Sequence, residues 1–159
     1  NNISDIMNLT ADILRAIKIE PILQISNINI PKLISTELNI SIDILKNGEI
    51  SELLKLNCDW LDSLLRVKDI KSLENIIEKV PNILKKELET LLEKSREVNY
   101  SNIIIAPMYY GSLKYYNGVY YRVIDKNLVL CRGGMYEADG ISSLGFALYT
   151  DNLLKMLEG

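Results

Sequence analysis

A chain of 159 residues and formal net charge −3, almost half hydrophobic and a quarter charged, has the length and balance of one globular domain, or of a domain with a small subdomain. Basic and acidic side chains number 13 and 16 in residues 1–100 and five of each in 101–159, so no basic stripe offers a nucleic-acid footprint. Histidine is absent, which removes an imidazole base, Ser–His and Cys–His pairs and histidine metal ligands, and no apolar run approaches the roughly 20 residues of a membrane span.

Residues 4–17 open the chain with Ile6, Leu9, Ile13, Leu14 and Ile17 at helical spacing, with Ser4 and Asp5 as caps. Glu20-Pro21 should end that helix, because the residue before proline avoids helical angles. Ile22, Leu23 and Ile25 then read as a short buried strand. Residues 28–99 are a helical block, with short patterns at 31–37, 42–47, 50–56, 60–65 and 73–80 and a longer one at 81–98. In the last, Ile83, Leu84, Leu88, Leu91 and Leu92 form the predicted inward stripe, and Pro81 suits a helix start.

At Asn99 the pattern changes to strands, at 103–106, 115–124, 128–132 and 144–149, and a final helix with Leu153, Leu154 and Leu157 starts at Thr150 or Asp151. Asp125-Lys126-Asn127 connects two strands as a hairpin, and Asp139-Gly140 reads as a turn. The predicted class is α+β, with a core of residues 1–27 and 100–159 interrupted by a helical insert at 28–99.

The chemistry-bearing residues gather late. All nine tyrosines and six of the eight glycines lie between Tyr100 and Tyr149. Tyr109-Tyr110 and the alternating Tyr116, Val119 and Tyr121 either line a pocket or decorate an exposed sheet face. Gly133-Gly134 either lets backbone approach a ligand or forms a turn of positive φ. Asp125, Glu137, Asp139 and Asp151 fit surface turns and caps better than acid–base work. Arg122 and Arg132 lie inside strand runs, where a buried guanidinium is costly unless paired. Trp60, beside Cys58, reads as a core anchor of the helical block. The two cysteines have no metal-type spacing and read as reduced thiols of a cytoplasmic protein; no metal or cofactor is expected.

Three segments carry a resemblance: Leu113-Lys114-Tyr115-Tyr116-Asn117-Gly118, Gly133-Gly134-Met135-Tyr136-Glu137, and Leu144-Gly145-Phe146-Ala147. In this order they resemble the histidyl-tRNA synthetase-like family of class II synthetase folds. The helix and strand at 4–26 and the run Asn29-Ile30-Pro31-Lys32-Leu33-Ile34 resemble the stretch that follows the family's second signature. The resemblance implies the C-terminal half of a class II antiparallel sheet. It also implies a remnant amino-acid pocket at Tyr115, Tyr116, Gly118, Gly133, Gly134, Tyr136 and Gly145.

Departures from the family pattern imply lost catalysis. Gly111 stands where the synthetases carry an arginine, Lys114 where they carry an aspartate, Met135 replaces an arginine, and Asn152 occupies the place of the ATP-clamping arginine. Such arginines stabilise the charge of amino-acid activation. The pattern resembles the branch that has lost aminoacylation, the regulatory subunits of ATP phosphoribosyltransferase. That implies a non-enzymatic partner of the short-form catalytic subunit, homo-oligomeric at full length, with histidine as a feedback ligand and no nucleic acid or membrane partner. The Asn1-Asn2 start and the single helix after the last motif fit a C-terminal portion of a longer protein. The alternatives are a divergent synthetase paralogue whose ATP-binding half lies upstream, and a structural binding module on a degenerate fold.

Overall fold

The computed structural model describes residues 2–111 and 116–158. Helix α1 (Ile3–Ala16) leads to strand β1 (Ile22–Asn27), and α2 (Asn29–Leu38), α3 (Ile42–Lys46), α4 (Ile50–Leu54), α5 (Asp59–Leu65), α6 (Ile70–Ile76) and α7 (Asn82–Arg96) follow. Strands β2 (Ile103–Ile105), β3 (Tyr116–Asp125), β4 (Leu128–Ala138) and β5 (Ile141–Leu148) come next, and α8 (Thr150–Glu158) comes last.

The strands form one sheet in the order β2-β1-β3-β4-β5. β3, β4 and β5 are antiparallel neighbours and β3 is antiparallel to β1, as expected, but β2 runs parallel to β1. Parallel neighbours need a long crossover. The helical block supplies it, and its α7 packs on β1 and β3. Residues 28–99 thus share their core with the sheet: Leu84, Leu88 and Leu91 are buried in one cluster with Leu23, Ile25, Val123 and Met7.

Helix starts follow local chemistry. Asn2, rather than Ser4 or Asp5, caps α1, accepting from the Ser4 N–H at 3.3 Å. This leaves the Ser4 hydroxyl to donate to the Glu97 carboxylate at the far end of α7. Asp69 and Ser72 form a capping box at the start of α6. α1 ends before Pro21, with Lys18 in the left-handed region at φ 60°.

Three stripes differ from expectation. In α1 the buried residues are Ile3, Ser4, Met7, Thr10, Ala11 and Leu14, whereas Leu9 and Ile17 are exposed. In α7 Ile83 faces solvent, and in α8 only Leu153 of the three leucines is buried. Trp60 is half-buried and packs against the main core. Among the described residues no helix is long and apolar enough to cross a membrane.

The two hairpins close as the sequence indicates. Lys126 has φ 51° between β3 and β4, while Asp139 and Gly140 have φ 53° and 77° between β4 and β5. Two successive positive-φ residues match the right-handed twist of the strands they join. β4 runs through Gly133-Gly134 as regular strand, so neither glycine forms a turn.

Candidate functional site

Alternation along the strands divides the sheet into two faces. One face carries Leu23 and Ile25 of β1, Tyr121 and Val123 of β3 and Cys131 of β4, buried against α1 and α7. Its polar atoms are satisfied locally: the Tyr121 and Thr10 hydroxyls lie 2.6 Å apart, and Thr10 donates to the Ile6 carbonyl at 2.8 Å. Burial pushes the Tyr121 phenol far above its ordinary range.

The other face is polar and aromatic. Register aligns Gln24 with Arg122 and Ser26 with Tyr120, then Arg122 with Arg132 and Tyr120 with Gly134. Farther along, Tyr116 pairs with Tyr136, Gly134 with Gly145 and Arg132 with Ala147. The pairing of β3 with β4 is irregular between Asn117 and Tyr120, so Gly118 and Val119 have no partner on β4. Because two residues are passed over, Tyr116 and Tyr120 remain on one face. Their rings stack at 5.5 Å between centroids, and Tyr109 adds a third ring 6.0 Å from Tyr120.

Tyr120 fastens the segment before the undescribed residues. Its hydroxyl donates to the Tyr109 carbonyl at 2.7 Å and accepts from the buried Gly111 N–H at 3.1 Å. Burial raises its phenol well beyond the usual range. Two spaces open on this face. A groove of about 540 Å³ runs along β4 and β5, walled by Tyr116, Tyr136, Gly145 and Ala147 among others. A cavity of about 10 Å³ lies between Tyr109, Gly111, Tyr116, Tyr120, Arg122 and Arg132.

Of the pocket residues expected from sequence, Tyr116, Gly134, Tyr136 and Gly145 meet on this face. Gly134 is small because a ring covers it: a Cβ there would stand 2.6 Å from Cδ1 of Tyr116. Gly133 points to the opposite face, under Tyr121, since neighbours in a strand face opposite ways. Gly118, at φ 71°, lines a different space with Asn2, Thr90 and Lys94. Tyr115 lies outside the described residues.

Of this face the sequence reading leaves out Gln24 and Tyr120; it names Tyr109 as a ring that could line a pocket and marks Arg122 and Arg132 as costly unless paired, without assigning any of the three to the amino-acid pocket. The alternation of 120 and 122 with 116 was the available signal, once β3 was recognised as one strand. Asn152 donates to the Val129 carbonyl at 2.8 Å and so ties α8 to β4. Among the described residues no group of three or more Cys, Asp or Glu side chains is placed to hold a metal ion.

No protein-family model matches the chain. It is 34% identical to an ATP phosphoribosyltransferase regulatory subunit from Wolinella succinogenes, over 95% of this chain and 52% of the relative. Another protein of that name, from Helicobacter hepaticus, is 31% identical over 98% of this chain and 55% of its own length. The chain therefore spans about half the length of the curated relatives it matches.

Among solved structures, an ATP phosphoribosyltransferase regulatory subunit/histidyl-tRNA synthetase from Bacillus halodurans superposes with TM-score 0.74 at 18% identity, covering 100% of this chain and 51% of that one. An ATP phosphoribosyltransferase (HisG:HisZ) complex from Thermotoga maritima gives TM-score 0.57 at 17% identity, over 93% of this chain and 61% of that one. At such identities the superpositions speak for the fold alone. The chain is thus a homologue, over about half of their length, of proteins named ATP phosphoribosyltransferase regulatory subunit, and it carries the corresponding part of a histidyl-tRNA synthetase-like α+β fold.

Proposed function

We propose that the protein bearing this chain is a non-catalytic regulatory subunit of ATP phosphoribosyltransferase, acting in the cytoplasm in histidine biosynthesis. The observation that carries the reading is the 34% identity that extends over 95% of the chain. The substitutions at Gly111, Met135 and Asn152 support it, because they leave neutral side chains where amino-acid activation needs positive charge. On this reading residues 28–99 are an insert in a synthetase-like core made of 1–27 and 100–159. The sheet face with Tyr116, Gly134, Tyr136 and Gly145 is the remnant of an amino-acid pocket. Histidine feedback would require that histidine favour one state of the assembly over another.

The test mixes the full-length protein with a short-form catalytic subunit and follows phosphoribosyl-ATP formation with and without histidine. The expected result is a complex whose activity exceeds that of the catalytic subunit alone and falls when histidine is added. Absence of both complex and activation would overturn the reading. ATP–pyrophosphate exchange in the isolated protein would instead identify a synthetase paralogue.

A further inference from the structure

Arg122 and Arg132 stand directly opposite each other on β3 and β4. Cβ atoms of such a pair lie about 5 Å apart, and like charges placed so repel. Among the described residues no carboxylate lies within ion-pair distance of either guanidinium. What they have instead is aromatic: Arg122 stacks 4.1 Å from the Tyr109 ring centre, and Arg132 lies 5.8 Å from that of Tyr149.

The donors around them are incompletely used. Arg122 Nη2 donates to Gln24 Oε1 at 3.1 Å, which fixes the Gln24 amide and turns its Nε2 away from that bond. Both Gln24 Nε2 and Arg122 Nε are buried without a hydrogen-bond partner. A buried donor left unpaired is costly, and two beside a pair of unneutralised cations call for an acceptor that also carries negative charge.

We infer that Arg122 and Arg132 form a binding site for a small organic anion, whose carboxylate or phosphoryl oxygens meet the two guanidiniums while its flat apolar body lies in the groove along β4 and β5. The cavity between the arginines, about 10 Å³, has room for about one water-sized group, hence one oxygen of the head. The groove of about 540 Å³ adjoins it: Tyr116 walls both spaces, and Ala147, which lines the groove, is the register partner of Arg132. Tyr116, Tyr136 and Gly145 offer an aromatic wall and an open floor for a planar body. Planar guanidiniums suit both head groups, which they grip through two parallel hydrogen bonds. The site rests on this sheet face alone and holds whether or not the protein regulates a phosphoribosyltransferase.

The experiment titrates benzoate and phenyl phosphate into the full-length protein by calorimetry, with acetate, inorganic phosphate and cyclohexanol as controls, all at matched ionic strength. At least one aromatic anion is expected to bind, more tightly than its head group alone and in preference to the uncharged alcohol; the favoured head identifies the ligand class. Arg132→Gln should weaken that binding by about tenfold or more, the loss of one charge-assisted hydrogen bond. The same variant in anion-free buffer should be no less stable than the wild type, because it relieves the repulsion with Arg122. Equal affinity in wild type and variant, or no binding of either aromatic anion by the folded protein, would overturn the site. So would a variant destabilised without any anion, which would make the arginines structural.

Discussion

The ring of Tyr121 lies across Gly133 of the neighbouring strand, so close that a Cβ on Gly133 would stand 2.5 Å from Cε1. The ring has no room to retreat, because its hydroxyl is held 2.6 Å from Thr10 of α1. Tyr116 covers Gly134 in the same way on the other face, at 2.6 Å. Gly145 differs, since its Cβ would meet Tyr136 at 3.4 Å, an ordinary contact. Gly133→Ala and Gly134→Ala should each cost about 1–3 kcal/mol by overpacking, and Gly145→Ala much less. Urea midpoints of the three variants check the ranking; equal midpoints would mean the rings do not sit over the glycines.

The same pair shows where the sequence was legible and where it was not. That Tyr116, Gly134, Tyr136 and Gly145 belong together followed from motif order, and the strand–turn–strand rhythm of 115–149 followed from β-rich runs and Asp139-Gly140. The resemblance puts Gly133 with its neighbour because the motif carries both glycines; in a strand, alternation separates the two onto opposite faces. The α1 stripe failed for another reason. Counting apolar residues favours Leu9 and Ile17, but Thr10 is buried because it finds Tyr121, a residue 111 positions away. Burial of a polar side chain depends on a partner that local periodicity does not see. The parallel pairing of β1 with β2 is equally non-local, since 75 residues, most of them helical, intervene between Asn27 and Ile103.

Acid should loosen the seam between the start of α1 and the end of α7. The Ser4 hydroxyl, helped by Lys94 and Asn2, holds the Glu97 carboxyl below its ordinary 4.5. At α6 the Ser72 hydroxyl and N–H hold Asp69 below its ordinary 3.8. A folded pKa below the unfolded one means that the unfolded chain binds more protons in this range. The contribution is therefore complete above about pH 4.5 and fades as pH falls through the folded values. Urea midpoints measured from about pH 6 down to about pH 3 should decline, and Glu97→Gln should reduce the slope of that decline. An unchanged slope in the variant would count against the Ser4–Glu97 contact.

The two cysteines should react at very different rates. Cys131 is buried on the core face, and burial pushes its thiol up to about 11. Little thiolate exists at neutral pH, and the reagent has no approach. Cys58 is half-exposed at the start of α5. A disulfide reagent such as DTNB is expected to titrate one thiol in the native protein and two in denaturant, with Cys58→Ser abolishing the native reaction. Rapid modification of both in native buffer would place Cys131 outside the core.

Removing one hydroxyl should cost more at Tyr120 than at Tyr121, although both phenols are buried. In Tyr121→Phe, Thr10 keeps its own bond to the Ile6 carbonyl, so no buried backbone group is orphaned; the losses are the Thr10 contact and a long one of 3.4 Å to that same carbonyl, about 1 kcal/mol together. In Tyr120→Phe the buried Gly111 N–H loses its acceptor and the Tyr109 carbonyl its donor. Orphaning a buried backbone donor costs about 1–3 kcal/mol. The second substitution also frees the segment that holds Tyr109 against Arg122. Tyr120→Phe is therefore expected to lower stability further and to speed amide exchange at Gly111, while Tyr121→Phe leaves that amide protected. Hydrogen exchange at Gly111 reads the difference directly, and protection unchanged in Tyr120→Phe would mean that another group holds this amide.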